Sequence, residues 1–162
     1  MLFDVIVGIA GAVVVVLVAT DVFQSVVVPR PTSAWRPSAL VARSGWRLAV
    51  DLGARFRNVE RRESFYGIYA PLLLVVLMAL WVTGLAMGFG LIFTALRGEL
   101  YPSPATYWAA VYYAGTSLLT LGYGDIVATS GLARALSLAA AAMGLATFAI
   151  VTAFLFSLFA AF

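Results

Sequence analysis

The sequence predicts an all-α membrane protein with three transmembrane helices and a shorter helix that enters the membrane and returns. Of its 162 residues, 64% are hydrophobic and 10% are charged, whereas soluble globular domains are about 45–50% apolar and about 25% charged. Three stretches of the chain are apolar for longer than the roughly 20 residues that a transmembrane helix needs. A fourth apolar stretch is too short to span and is bounded by proline and glycine, which is typical of a re-entrant helix.

The first predicted span is the N-terminal segment 1–29, an apolar stretch in which the only charged residues are Asp4 and Asp21. At 1.5 Å per residue this segment is longer than the hydrocarbon core of about 30 Å. It lacks the basic start and the small-residue cleavage pattern of a signal peptide. We therefore expect it to stay attached as a transmembrane helix.

The arginines predict the orientation of the chain. Eight of the ten lie in segment 30–66, between the first and second spans, and the positive-inside rule places such a segment in the cytoplasm. We therefore expect a multi-pass protein of the plasma membrane with its N-terminus outside, its re-entrant helix entering from outside, and its C-terminus in the cytoplasm. The eight arginines are Arg30, Arg36, Arg43, Arg47, Arg55, Arg57, Arg61 and Arg62.

Segment 30–66 also predicts a basic amphipathic helix, with Ser38 after Pro37 as its N-cap residue. On a helical wheel the arginines lie opposite an apolar side. A helix of this kind beside a span either lies in the inner membrane interface, with its arginines toward anionic lipid headgroups, or packs its apolar side on protein. The wheel does not separate these interpretations. The apolar side consists of Val41, Leu48, Leu52, Phe56 and Val59.

The remaining residues, 67–162, predict two further spans and the re-entrant helix between them. Gly84 and Gly88 have the G-x-x-x-G spacing that is typical of close helix packing. Pro102 and Pro104 precede the short apolar stretch. The predicted elements are an outer helix at 69–97, a short helix at 104–118, a loop at 120–125 and an inner helix at 132–162.

The loop Thr120-Leu121-Gly122-Tyr123-Gly124-Asp125 carries the chemistry of the chain. A dehydrated cation needs oxygen ligands repeated along a path, and backbone carbonyls supply them if successive residues turn them to one side. That arrangement needs backbone conformations that glycine adopts most easily, which explains Gly122 and Gly124. The Thr120 hydroxyl adds an oxygen, and the negative end of the short helix's dipole favours a cation there.

This hexapeptide resembles the potassium channel signature T-V/I/L-G-Y-G-D, and the chain looks like a small bacterial potassium channel of the two-transmembrane pore-domain superfamily with one extra N-terminal helix. The resemblance implies that the short helix is a pore helix and that the loop is a selectivity filter that binds and conducts K⁺. It implies filter ligands at Thr120, Leu121, Gly122, Tyr123 and Gly124, filter support from Tyr112, Tyr113, Thr116 and Asp125, a hinge at Gly144, and a cavity and gate lined by Leu145, Phe148, Thr152 and Phe156.

One chain supplies only one wall of such a filter, so we expect a homotetramer in which four copies encircle the ion. K⁺ is then the only expected bound species besides lipid; no organic cofactor and no nucleic-acid partner are expected. The inner helix predicts the closed gate: Phe156, with Phe159 as second candidate, lies on one helical face with the cavity residues, and an apolar constriction closes a pore by dewetting. A non-conducting or regulatory pore-like subunit is the alternative.

The composition argues against most enzyme classes, because the chain has no cysteine, histidine or lysine. Gly-Tyr-Gly-Asp also fits the G-x-G-D motif of intramembrane aspartyl proteases, which would pair Asp125 with Asp21. We disfavour this reading because the predicted topology places the two carboxylates at opposite membrane surfaces. Asp21 is interpreted as a carboxylate that reaches the inner interface, with a pair to Arg30 or Arg36, or a sensor coupled to the gate, as the functional alternative.

Overall fold

The computed structural model describes residues 1–26, 36–55 and 58–160, and this part of the chain forms five α-helices and one short sheet. Three of the helices, which begin at Leu2, Val59 and Gly131, are long and apolar enough to cross a membrane. The chain is therefore an all-α membrane protein. The elements are α1 (Leu2–Val26), α2 (Pro37–Gly53), α3 (Val59–Ala95), β1 (Leu100–Tyr101), α4 (Tyr107–Leu118), β2 (Val127–Ala128) and α5 (Gly131–Ala160), with a turn of 3₁₀ helix at Arg97–Glu99.

Helix α3 lies at the centre of the fold and packs against all four other helices. Its side chains Leu85 and Phe93 are fully buried among residues of α4 and α5. Helix α1 packs on α3 through the two glycines of the G-x-x-x-G spacing, where a Cβ atom on Gly84 would lie 2.9 Å from Val18 and one on Gly88 2.8 Å from Val15. The predicted close packing is confirmed, and its partner is the N-terminal helix.

Helix α3 begins at Val59, ten residues before the predicted start of the outer helix at residue 69. Asn58 is the N-cap residue of this helix, because its backbone is extended and its side chain accepts a hydrogen bond of 3.0 Å from the Glu60 amide. The helix therefore does not extend to residues before Asn58. Val59 therefore belongs to α3 and not to the amphipathic helix. The pore helix begins at Tyr107 rather than at residue 104, because the Thr106 hydroxyl caps it by accepting from the Ala109 amide at 3.2 Å.

Helix α2 packs on α3 mainly through small residues, and of the predicted apolar side Val41 is packed against the cluster of Val22 and Trp81. The Tyr69 hydroxyl donates a hydrogen bond of 2.8 Å to the Ala42 carbonyl oxygen, and the Tyr66 hydroxyl lies against Gly53. Leu48 and Leu52 remain 60% and 37% exposed, and Phe56 lies outside the described residues. The packed face consists of Ser38, Ala42, Gly45, Ala49 and Gly53.

The structure also changes the interpretation of Ser38 and Asp21. The N-cap of α2 is Arg36, so Ser38 lies inside the first turn of the helix. Asp21 is only 3% exposed, and its carboxylate accepts hydrogen bonds from Ser38 and Trp81. The interpretation of Asp21 as a carboxylate that reaches the interface is therefore wrong, and Arg30, one of its two suggested partners, lies outside the described residues.

Candidate functional site

The loop 120–125 is attached to the last turn of α4. The Thr120 amide donates to the Ser117 carbonyl oxygen at 3.0 Å, and the Thr116 carbonyl oxygen accepts from the Leu121 amide at 2.8 Å and from the Gly122 amide at 3.4 Å. These bonds use carbonyls that a helix end leaves without intrahelical partners. The loop therefore starts at the negative end of the α4 dipole.

The backbone of the loop alternates in handedness. Thr120, Gly122 and Gly124 have φ values of +55°, +57° and +78°, and among the described residues these are the only positive φ values. Leu121 and Tyr123, between them, have ordinary φ. A chain that alternates in this way turns successive carbonyls to one side, which is what a path of oxygen ligands requires. Both glycines thus take the backbone conformation that the sequence predicts.

The positive φ of Thr120 is a feature that sequence reasoning missed. A β-branched residue adopts this conformation rarely, because its Cβ crowds the following carbonyl. This conformation is stabilised by the three backbone hydrogen bonds that follow α4 and by the Thr120 hydroxyl, which donates to the Leu119 carbonyl oxygen at 2.7 Å. The hydroxyl oxygen keeps its lone pairs for a cation. Gly122 and Gly124 are two residues apart, and Thr120 lies two residues before Gly122. This spacing is the signal in the sequence that points to Thr120.

The residues predicted to support the filter act in different ways. The Tyr112 ring stacks on the Tyr123 ring, with centroids 6.5 Å apart and planes 13° apart. The Asp125 carboxylate near the Tyr112 hydroxyl raises the pKa of the Tyr112 phenol. This one side chain therefore interacts with two residues of the loop.

Tyr113 points away from its neighbour, into the core. Its ring meets Phe93 of α3 edge-on, with centroids 4.8 Å apart, and its hydroxyl shares a hydrogen bond of 2.7 Å with Ser137 of α5. Together with Gly122 and Tyr123 it lines a cavity of about 460 Å³ behind the filter. Thr116 contacts the loop through its backbone carbonyl, and its buried hydroxyl bonds back to the Tyr113 carbonyl oxygen at 2.9 Å.

The outer end of the loop is fastened to the segment that follows α3. Strand β2 pairs with β1 in an antiparallel register. The Glu99 carbonyl oxygen accepts from the Thr129 amide at 2.9 Å and from its hydroxyl at 2.8 Å, and the Glu99 carboxylate binds the Ser130 hydroxyl. Arg134 of α5 donates to the Ala128 carbonyl oxygen at 3.1 Å. The loop is therefore held at both ends by neighbouring elements.

Below the loop, Thr120, Leu145 and Phe148 line a cavity of about 360 Å³. Leu145 and Phe148 are each 57% exposed and Phe156 is 69% exposed in the single chain. The Thr152 side chain is on the same side of α5, at helical spacing, and its hydroxyl bonds to the Phe148 carbonyl oxygen at 2.8 Å. The side chain of Phe159 lies outside the description.

Gly144 allows a close contact between α5 and the end of the pore helix. A Cβ atom at this position would overlap the Leu118 carbonyl oxygen. The sequence resemblance implies a hinge at Gly144, whereas the structure shows a packing requirement and a helix that is continuous from Gly131 to Ala160.

The geometry disfavours the pairing that a protease would need. Asp21 bonds to Ser38 and Trp81, between α1, α2 and α3, whereas Asp125 follows α4 and lies near the Tyr112 hydroxyl. In the described part of the chain, different residues therefore surround the two carboxylates, whereas a protease would need both within hydrogen-bond reach of one water. Within that part no group of three or more acidic residues could hold a metal ion.

Comparison with known proteins gives one match. The model of a family described as ion channel matches residues 72–161, which is more than half of the chain and includes most of α3 and all of α4, the loop and α5. Neither the comparison with curated proteins nor that with solved structures returns a match.

Proposed function

This chain belongs to the ion channel family that matches it over residues 72–161, and on that premise we propose that it is a potassium-selective channel formed by four copies. The backbone of the loop carries the proposal. Its alternating φ values at Thr120, Gly122 and Gly124 fit a stack of carbonyl ligands for a dehydrated K⁺. In this proposal the ligands are the carbonyl oxygens from Thr120 to Gly124 and the Thr120 hydroxyl, and K⁺ is the transported ion.

A homotetramer accounts for the surface around the loop. One loop offers oxygens from one side only, and a symmetric ring of four completes the coordination without an open edge. Leu121 and Tyr123 are 50% and 66% exposed in the single chain, so assembly would cover apolar surface as well as close the ring. The same ring would join the exposed faces of four α5 helices into one lumen.

The lumen would lead from the cavity under Thr120 to an apolar gate. Leu145, Phe148 and Thr152 would line the cavity, and Phe156 would close it below. Four phenyl rings around a narrow lumen hold water poorly, and an ion loses its hydration there without replacement ligands. The conduction path is therefore proposed to close by dewetting, independently of the filter.

The arginines of α2 are proposed to meet anionic lipid headgroups at the cytoplasmic face of the plasma membrane. Arg43 and Arg47 are exposed on the side of α2 opposite the face that packs on α3. Each basic residue near an anionic surface contributes about 1 kcal/mol to membrane attraction. This orientation places the N-terminus and the filter mouth outside.

The test is ion flux from liposomes that contain the purified protein. Potassium-loaded vesicles should release K⁺ into potassium-free buffer, while sodium-loaded vesicles should retain Na⁺. Release of both ions would contradict selectivity. Absence of release from intact tetramers would favour the alternative, a non-conducting regulatory subunit.

A further inference from the structure

Asp21 is a carboxylate in a transmembrane helix whose hydrogen-bond donors come from two other helices. It is 3% exposed. The Ser38 amide and hydroxyl of α2 donate to it at 3.2 Å and 2.6 Å, and the Trp81 indole N–H of α3 donates at 2.8 Å. A buried carboxylate is costly unless such donors satisfy it. Asp21 therefore holds α1, α2 and α3 together at one point.

The carboxylate also acts as the cap of α2. The N-cap residue of this helix is Arg36, whose side chain makes no capping hydrogen bond within the described part of the chain, and Pro37 has no amide to donate. The Ser38 amide is thus the first free donor of the helix, and it finds its acceptor on α1. A negative charge at the positive end of the α2 dipole adds to the hydrogen bonds.

The same point touches the inner helix of the pore. Trp81 is 1% exposed and forms a cluster with Val22 of α1 and Val151 of α5. Val151 lies between Phe148 and Thr152 in sequence but is 6% exposed, so it marks the buried side of α5, away from the face proposed to line the lumen. Asp21 therefore links α2 by hydrogen bonds to Trp81, which belongs to the same packed cluster as Val151 in the inner half of α5.

We propose that Asp21 is a positioning residue that fastens α2 to the pore and thereby sets the balance between closed and open channel. With the fastening in place, Trp81 and Val22 brace the back of α5 at Val151. Without it, α2 is free to leave its place on α3, the brace loosens, and the inner half of α5 can move away from the pore axis. The inference rests on the proposed channel function and adds a control point outside the filter and the lumen.

The first test is Asp21→Ala in single-channel recordings. We expect the ratio of open to closed time to rise about fivefold or more, the lower end of ordinary coupling between sites. Single-channel conductance and reversal potential should not change, because the filter and lumen are untouched. Val15→Ala is the matched control, since Val15 is also a buried α1 residue that packs on α3 but belongs to the cluster of Leu85 and Phe89 rather than to that of Val22 and Trp81.

The second test restores the fastening by a different bond. The hydroxyl oxygens of Ser25 and Ser38 are 2.8 Å apart, and the chain has no native cysteine. In Asp21→Ala with Ser25→Cys and Ser38→Cys, oxidation should bridge α1 to α2 and return the open-to-closed ratio toward that of the parent. Reduction should raise it again.

Each outcome decides the inference. It is overturned if Asp21→Ala matches Val15→Ala, if the bridge forms and the ratio does not fall, or if the two cysteines fail to bridge under oxidant. If Asp21→Ala does not yield tetramers, Ser38→Ala takes its place, with a smaller rise expected and Ser38→Thr as the variant that keeps the hydroxyl. Absence of potassium current in the parent would refute the channel function itself, which separates the two failures.

Discussion

At the scale of single residues, the proposed function would depend on backbone conformation more than on side-chain chemistry. Gly122 and Gly124 have positive φ, and an added Cβ on either would meet nothing within 4 Å among the described residues. A side chain would therefore fit in the space of one chain. What it would disturb is the left-handed conformation, at a cost of about 1–2 kcal/mol per residue, and this cost would be repeated in each of four copies.

Two alanine substitutions can separate the effect of backbone conformation from the effect of added side-chain volume. Gly122→Ala should lower the potassium current by tenfold or more with the tetramer intact, because the loop relaxes to negative φ and its carbonyls turn away. Gly115→Ala is the control, since Gly115 is also without neighbours within 4 Å but has helical φ, where alanine is favoured. Equal currents in the two variants, measured in planar bilayers, would contradict the role of the φ alternation.

Gly144 tests whether close packing or bending explains a glycine in α5. Gly144→Ala places a methyl group on the Leu118 carbonyl oxygen, so we expect the tetramer to lose about 1–3 kcal/mol of stability, the usual cost of overpacking. The displacement should also weaken selectivity, because Leu118 ends the helix that carries the filter. If the melting temperature of Gly144→Ala tetramers equals that of the parent and only gating becomes slower, Gly144 acts as a hinge instead.

At the scale of helices, length and hydropathy predict the elements well because a bilayer demands long apolar helices. The ends are predicted less well. The start of α3 depends on an Asn58 cap inside a segment that reads as one amphipathic helix. The packed face of α2 escapes a helical wheel, which weights large apolar residues, whereas Gly45 and Gly53 make the contacts.

Contacts between distant residues are the least predictable. Asp21 and Trp81 are 60 residues apart, so no local sequence pattern predicts their hydrogen bond. The backbone of the loop is easier to predict, because its conformation is local and its glycines indicate most of it. Thr120 is the exception because its conformation follows from its neighbours and not from its own type.

The inner helix predicts a gate that one substitution should open. Phe156→Ser makes the proposed constriction hydrophilic, so water should fill it and basal potassium leak should rise with selectivity kept. Phe154→Ser is the control, because Phe154 is two residues away and lies on another side of α5. Liposome flux checks both variants. If Phe156→Ser tetramers leak no more potassium than the parent, the pore closes at the filter and not at Phe156.

The orientation of the helices can be tested with single cysteines. Ser44 lies on α2 and Ser103 on the segment between α3 and α4, and both are exposed. A membrane-impermeant thiol reagent added to intact cells should label Ser103→Cys and should reach Ser44→Cys only after the cells are opened. Labelling of both in intact cells would contradict the arginine-based topology.

At the scale of the whole molecule, the proposals divide the chain into a part that would conduct ions and a part that would control it. The outer helix, pore helix, loop and inner helix are the part that the ion channel family covers. Helices α1 and α2 lie before it in sequence, and they reach it through the glycines of α3 and through Asp21. Four copies would place the first part around the axis. The second part would then lie around it, where membrane lipid can act on α2.

The most direct test of the central claim is the reversal potential of the channel with potassium on one side of a bilayer and sodium on the other. If carbonyls of Thr120 to Gly124 replace the hydration shell of K⁺, the current should reverse far from zero, on the side set by the potassium gradient. A reversal potential near zero at equal concentrations of the two ions would show that the pore does not distinguish them, and would contradict the account.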